Sequence, residues 1–395
     1  MSKRNDDFFV KKKPWSMVKD SLLACYLKPY FQKVLRTHRP ITYIDGFAGA
    51  GKFLDGNDGS PLIALKIIQD CFAQTKVLDG HIYSYFVEAY HADLLTENIR
   101  EYQNAQVISG KYEEKIQFLL NDCVGQNVFL YIDPYGVKEL DFNFFASLVR
   151  KHFNSIELLL NLNSGGFLRM ACAALGVEFK NEDDIKGLDE YDDGLTKSNV
   201  SLKETATIVA GGDYWESIVA DYRNGKLSFY GAEERFVEEY CQRLNEHYLY
   251  VLNMPIKSKQ FKNLPKYRMI YATNHPNGAV LMADNIFKRE DLMREIQLGG
   301  QMSLFGNRPT VNVEKKLLDY LPRFKTFERF NVVLAKFFCT YGVMCSSRDI
   351  TDVLKKFETQ GKITVERNPS TTKTGKPSAF WDEKKGKIVK LKWNT

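Results

Sequence analysis

Asp45-Gly46-Phe47-Ala48-Gly49-Ala50-Gly51 follows directly on Thr42-Tyr43-Ile44. The β-branched and aromatic residues read as the end of a strand. The glycines permit positive φ and let a backbone pass close to a ligand. An acid at the strand end can accept hydrogen bonds from a ligand's ammonium or hydroxyls. Strand, acid and glycine-rich loop together are what a nucleotide-like cofactor needs at the carboxyl edge of a parallel sheet. On that reading the cofactor contacts are Asp45, Gly46, Phe47, Ala48, Gly49 and Gly51. Two other readings compete. Gly46 to Lys52 fits G-x-x-x-x-G-K, but Phe53 stands where a phosphate-binding loop needs a Ser or Thr hydroxyl for magnesium. The stretch also fits a tight structural turn, so the neighbouring strands have to decide.

Those neighbours read as a run of strands. Ile41 to Asp45 is the first, and Ile82 to Val87 the second, ending in Glu88. An acid at that second tip is placed to accept both hydroxyls of a ribose. Ala105 to Ser109 is the third. Asn127 to Ile132 is the fourth, a near-continuous apolar run of the kind buried on both faces, and it ends in Asp133-Pro134-Tyr135-Gly136. Asp133 can accept from an amine, while the Pro134 carbonyl and the Tyr135 ring can orient a flat substrate. A plain turn is the alternative. Ile156 to Leu162 is the fifth strand. Ahead of the sheet, Val18, Leu22, Leu23, Tyr26 and Leu27 recur at helical spacing. Ser60 and Pro61 suit the cap and first turn of a helix after the glycine loop.

Beyond Leu162 the strand pattern stops. An insertion over about 164–245 is rich in helix and includes an acidic run, Glu182 to Asp193. Tyr248 to Pro255 and Tyr267 to Thr273 then read as an antiparallel pair, followed by a helix from Val280 to Met293. The first domain is thus expected over 1–293, a linker over 294–310 and a second domain over 311–395. Inside the linker, Gln301-Met302-Ser303-Leu304-Phe305 resembles the peptide that bacterial proteins dock on the replication sliding clamp, although the reading preferred is that Leu304 and Phe305 pin the linker against one domain. From Val313 three helical segments precede Ile363-Thr364-Val365, a polar loop from Asn368 to Pro377, and Phe380-Trp381. That order reads as a winged helix. Lys355 and Lys356 on its third helix, Arg367, and Lys373 and Lys376 in the wing are the expected nucleic-acid contacts.

Charge supports the division. The chain carries +6 overall, yet from Val311 onward 18 Lys+Arg stand against 9 Asp+Glu. The basic balance therefore belongs to the second domain, the electrostatic footprint of a nucleic-acid contact, with solubility alone as the alternative. Seven cysteines without C-x-x-C spacing argue against a disulfide framework or a zinc site. The six scattered histidines supply no metal motif. No apolar run approaches the roughly 20 residues that cross a bilayer, and the N-terminus lacks a signal-peptide core. A cytoplasmic protein with no membrane contact is expected.

With these residues in hand, the chain resembles the three-Cys-motif partner protein family, from about Trp15 to the helix after Asn274. The resemblance rests on Tyr43 to Gly51, Gly59-Ser60-Pro61, Val87-Glu88, Ile132 to Gly136, and Tyr271 to Pro276. It implies a Rossmann-like class I methyltransferase sheet that uses S-adenosylmethionine, a C-terminal winged helix, and a three-cysteine partner that resembles a radical S-adenosylmethionine enzyme. By the same resemblance Asp45 and the loop match the cofactor motif, and Glu88 matches the ribose acid. Asp133, Pro134 and Tyr135 fall where amino-methyltransferases carry Asp-Pro-Pro and an aromatic. Tyr135 stands in place of the second Pro and Gly136 in place of the aromatic, so the methylated atom does not carry over.

The function expected is methyl transfer to nucleic acid, DNA above RNA, with Asp133 and Pro134 holding an amino group and Tyr135 stacked on the base. A non-catalytic adaptor that sets the three-Cys partner on DNA is one rival. A methyltransferase of protein or small molecules is the other.

Overall fold

The structure is a computed structural model and describes residues 12–74, 81–178, 199–257, 265–297, 311–383 and 386–394. The chain divides into two compact units, Met1–Asn274 with Leu292–Gly300, and His275–Asp291 with Gln301–Thr395.

The first unit is built on a seven-stranded sheet. Its strands are β1 (Ile41–Asp45), β2 (Ile82–Glu88), β3 (Ala105–Ser109), β4 (Asn127–Ile132), β5 (Ser155–Leu162), β6 (Tyr250–Ile256) and β7 (Tyr267–Thr273). They lie in the order β3-β2-β1-β4-β5-β7-β6. The first five are parallel, while β7 runs antiparallel to both β5 and β6. A mostly parallel sheet with this one reversal fits the Rossmann-like class I methyltransferase fold. The strand order reverses between β1 and β4, and clefts at such switch points hold ligands in open α/β sheets.

Why these residues form the centre of the sheet follows from their burial. Every residue of β1 and β4 is buried, as central parallel strands require. One face is packed by α1 (Pro14–Val34), which buries Leu22, Leu23, Tyr26, Leu27, Tyr30 and Phe31. Tyr26 and Tyr30 meet Phe129 at 5.7 and 5.3 Å between ring centroids, and Phe31 meets Tyr43 at 6.4 Å. Beneath this helix lies a buried polar cluster: the Tyr26 hydroxyl is 2.5 Å from both the Glu157 carboxylate and the Tyr271 hydroxyl. Burial pushes the Glu157 carboxyl up to about 7, opposed by those hydroxyls.

The insertion is helical where it is described. Its helices Ser164–Ala174, Asn199–Ala210, Tyr214–Arg223 and Phe229–Asn245 enclose Phe167, Trp215 and Phe236, with Phe167 and Phe236 stacked at 3.9 Å. The Arg268 guanidinium forks onto buried Glu233 at 2.9 and 2.7 Å, tying the last helix to β7. The acidic run Glu182 to Asp193 lies outside the described residues.

In the second unit, helices Val313–Tyr320, Phe330–Tyr341 and Ser347–Thr359 pack on a three-stranded antiparallel sheet. Its strands are β8 (Glu328–Arg329), β9 (Ile363–Asn368) and β10 (Ile388–Trp393), in the order β8-β10-β9. The third helix opens with a capping box between Ser346 and Asp349, as serine caps favour. Phe380-Trp381 is not the returning strand the sequence pattern predicts; β10 is. Trp381 instead turns edge-on to Phe330 at 5.3 Å, beneath the Arg367 guanidinium. The helix after Asn274 runs from Pro276 to Gln297, longer at both ends than the periodicity indicates. The clamp-like peptide Gln301 to Phe305 lies outside the described residues.

Candidate functional site

The site is assembled at the carboxyl ends of β1, β2 and β4. In register, Asp45 of β1 stands level with Phe86 of β2 and Tyr131 of β4. Glu88 closes β2 two residues past Phe86, and Asp133 follows directly on the end of β4, two residues past Tyr131. The three acids that the sequence singles out are therefore neighbours, and Asp133 and Glu88 both help to raise the Asp45 carboxyl.

The loop after β1 is pinned from both sides. The Gly46 amide donates to the Tyr131 carbonyl at 2.9 Å and the Ala48 amide to the Val87 carbonyl at 3.1 Å. Gly46 has no room for a side chain, since a Cβ there would stand 2.8 Å from Ile132 and Tyr112. Gly51 takes φ +78°, and a Cβ would meet Leu95 at 2.7 Å. Lys52 to Asp58 then form a small excursion closed at its neck by the Gly59 amide on the Gly51 carbonyl, at 2.8 Å.

Asp45 does not line the cavity. Fully buried, it accepts from the Ser60 hydroxyl at 2.6 Å and from the Phe47 amide at 3.2 Å. Burial pushes its carboxyl up to about 7 against those two hydrogen bonds. Its place in the fold is beneath the loop, and a ligand would meet the backbone that it supports. Glu88 is likewise turned to the backbone. One oxygen takes the Gly49 amide at 2.8 Å and the other takes those of Tyr90 and His91 at 2.8 and 3.0 Å. With 6% exposure it organises the loop first.

A pocket of about 640 Å³, counted to its open mouth, lies over this loop. Phe47, Ala48, Gly49 and Gly51 line it on one side, and Asp133, Pro134 and Tyr135 on another. The structure thus brings the expected catalytic residues and most of the expected cofactor contacts to one cavity. It also adds residues that the sequence reading left out: Ser16, Lys19 and Asp20 of α1, with Tyr267 of β7.

Lys19 is the largest addition. Its residue is 5% exposed, and its ammonium donates to both Asp133 oxygens, at 2.8 and 2.7 Å. It also lies over the Tyr267 ring, 4.8 Å from the centroid. Asp133 further accepts from the Asn161 amide at 2.6 Å and from the Tyr131 hydroxyl at 3.1 Å. Next to this pair, Lys12 forms an ion pair with Asp20 and donates to the Asp58 carbonyl at 2.7 Å. Its own amide bonds the Asp55 carboxylate at 2.9 Å, so the segment before α1 is tied to the excursion. Burial raises the Asp20 carboxyl, and Lys12 opposes the shift.

Neither a protein-family model nor a curated protein matches the chain. Among solved structures it is similar to an O-methyltransferase from Bacillus cereus in complex with SAH. The identity is 12%, covering 68% of this chain and 94% of that one, at a TM-score of 0.29. It is also similar to the plantazolicin methyltransferase BamL in complex with a triazolic desmethylPZN analog and SAH. There the identity is 12%, with 65% and 86% covered, again at 0.29. At those values the likeness stops at resemblance, and the strand order carries the fold.

In the second unit the expected contacts part company. Lys355, Lys356, Lys373 and Lys376 are exposed, and Lys355 pairs with Asp352 at 2.9 Å. Arg367 is not on offer to nucleic acid. Its guanidinium forks onto Glu358 at 2.7 Å through each terminal nitrogen, donates through Nε to the Phe380 carbonyl, and leaves a side chain 9% exposed. The charge there holds the hairpin to the third helix.

Proposed function

We propose that the chain is an S-adenosylmethionine-dependent methyltransferase acting on nucleic acid. The observation that carries this reading is the meeting of Asp45, Glu88 and Asp133 at three adjacent strand tips, around a glycine loop that opens into one pocket. The residues fit such a cofactor in shape. Gly49 and Gly51 take positive φ and turn backbone, not side chain, to the cavity. Glu88 holds the loop amides in place for a nucleoside. S-adenosylmethionine would supply a methyl already activated by its sulfonium, which leaves alignment as the protein's contribution. Tyr135, 37% exposed at the pocket, would stack on a flat base, and a base in duplex would have to be flipped to reach it.

The second unit supports a winged-helix reading: helix, short strand, two helices and a hairpin, in that order. Lys373 and Lys376 would then meet phosphates from the loop Asn368 to Pro377. A three-cysteine partner, and docking on a sliding clamp through Gln301 to Phe305, belong to the same proposal on the strength of sequence alone. Calorimetry with S-adenosylmethionine and S-adenosylhomocysteine tests the cofactor before any substrate is chosen. Saturable binding of both is expected, and absence of both overturns the enzyme reading.

One observation favours a second reading. Asp133 already receives four hydrogen bonds, which suits a structural carboxylate in a non-catalytic adaptor. Co-purification with the three-cysteine partner and no methyl incorporation into any nucleic acid would support the adaptor.

A further inference from the structure

An acid beside a glycine-rich loop is expected to receive a ligand's ammonium, and Asp45 is in no position to do so. It is fully buried beneath the loop and held by Ser60 and Phe47. The acids that line the pocket are Asp20 and Asp133. Asp133 is spent, with Lys19 on both oxygens and Asn161 and Tyr131 beside it. Asp20 keeps capacity to spare. Lys12 pairs with its Oδ2, and among the described residues nothing donates to its Oδ1. Ser16 precedes Asp20 by about one helical turn, so both lie on one face of α1. The Ser16 hydroxyl belongs to the same wall and makes no hydrogen bond among the described residues.

Positive charge divides in the same way. Lys19 is closed onto Asp133, whereas Lys52 is exposed, lines the pocket and has no counter-ion among the described residues. Lys12 ties the two poles together. It pairs with Asp20 and donates to the Asp58 carbonyl at 2.7 Å, at the far end of the excursion that begins with Lys52. A purely cationic ligand would face Lys12, Lys19 and Lys52, and a purely anionic one Asp20 and Asp133. A zwitterion meets opposite charge at both of its ends.

We propose that this wall of the pocket is a subsite for a zwitterionic α-amino acid group, with Asp20 and Ser16 taking the ammonium and Lys52 the carboxylate. S-adenosylmethionine carries such a group at one end, so the inference deepens the cofactor reading and rests on it for the nucleoside. A carboxylate has about four lone-pair sites, so the ammonium joins Lys12 on Asp20 without displacing it. That contact is charge-assisted, on a side chain only 14% exposed. Lys52 acts from the rim, where water and salt screen it more.

Calorimetry on the full chain tests the subsite with three probes. They are S-adenosylhomocysteine, decarboxylated S-adenosylmethionine, which keeps the ammonium, and 5′-methylthioadenosine, which lacks the amino acid. Asp20→Asn is expected to weaken the first two by about tenfold or more and to leave the third unchanged. Lys52→Met should weaken S-adenosylhomocysteine by about threefold and leave the other two unchanged. Retained binding of 5′-methylthioadenosine shows that each variant is folded. Equal loss of all three probes in Asp20→Asn makes that residue structural and overturns the proposal. So does unchanged S-adenosylhomocysteine affinity in either variant, or an equal loss of the decarboxylated probe in Lys52→Met. A parent chain that binds 5′-methylthioadenosine as tightly as S-adenosylhomocysteine overturns the subsite and leaves the cofactor's nucleoside site standing. A parent chain that binds none of the three sinks the cofactor reading and this one with it.

Discussion

Glu88 Oε2 accepts the Gly49 amide at 2.8 Å, so the acid at the end of one strand fixes the loop that leaves its neighbour. With Oε1 on Tyr90 and His91, the same carboxylate gathers three backbone N–H groups from two loops. Replacing it by Ala leaves those donors without their acceptor, at a cost of roughly 1–3 kcal/mol. Glu88→Ala is expected to lower unfolding free energy by about that much and to weaken S-adenosylhomocysteine binding at least tenfold. Denaturant unfolding and calorimetry read the two effects separately.

Stability should depend on pH through two buried acids. Burial raises the folded-state carboxyls of Asp45 and Glu157 to about 7, from 3.8 and 4.5. The folded state therefore holds protons that the unfolded state has released. The contribution is complete below the unfolded values and is lost as pH rises through about 7, at a limiting slope of about 1.4 kcal/mol per pH unit for each group. Unfolding at pH 5.5 and 8.0 should show a smaller pH-dependent loss in Glu157→Gln than in the parent chain. An identical loss in both would refute the assignment.

Gly51 is the most exacting position of the loop. It combines φ +78° with a side-chain site 2.7 Å from Leu95. Gly51→Ala adds backbone strain and overpacking, each costing roughly 1–3 kcal/mol. A lower melting temperature is expected, with loss of cofactor binding before loss of the sheet's far-ultraviolet signal.

Arg367 and the loop lysines should separate by assay. Breaking the Arg367–Glu358 fork leaves a partly buried carboxylate without its cation, so Arg367→Ala should destabilise the second unit by about 2–4 kcal/mol. Lys373→Ala and Lys376→Ala should leave stability within about 0.5 kcal/mol. Each should instead reduce the salt dependence of nucleic-acid binding by about one counterion. Binding measured between 50 and 200 mM salt distinguishes the two classes.

How much of this could be read from residues alone depends on the kind of interaction. β1, β3 and β4 were legible to the residue because apolar runs there stop at an acid or a glycine, and β4 is buried on both faces. The Glu328–Arg329 strand is too short to leave a period. Phe380-Trp381 imitates a strand because an aromatic pair suits a pleated surface, but ring packing on Phe330 and Arg367 claims it. Ser60 reads as a helix cap, whereas its hydroxyl goes to Asp45. Lys19 was missed although it left a trace. It sits on the stripe that buries Val18, Leu22, Leu23 and Tyr26, where a lysine has no reason to be unless something holds its charge. The holder, Asp133, lies 114 residues away, and no local pattern links them.

That distance bears on where the protein can be cut. A fragment begun at Ile41 would keep all seven strands and every glycine of the loop, and would pass for an intact catalytic core. It would lack the Lys19 ammonium that donates to both Asp133 oxygens, leaving Asp133 with its neutral donors Asn161 and Tyr131 but without that cation. Expression boundaries drawn from the sheet alone therefore remove a cation that lines the pocket and is ion-paired across it.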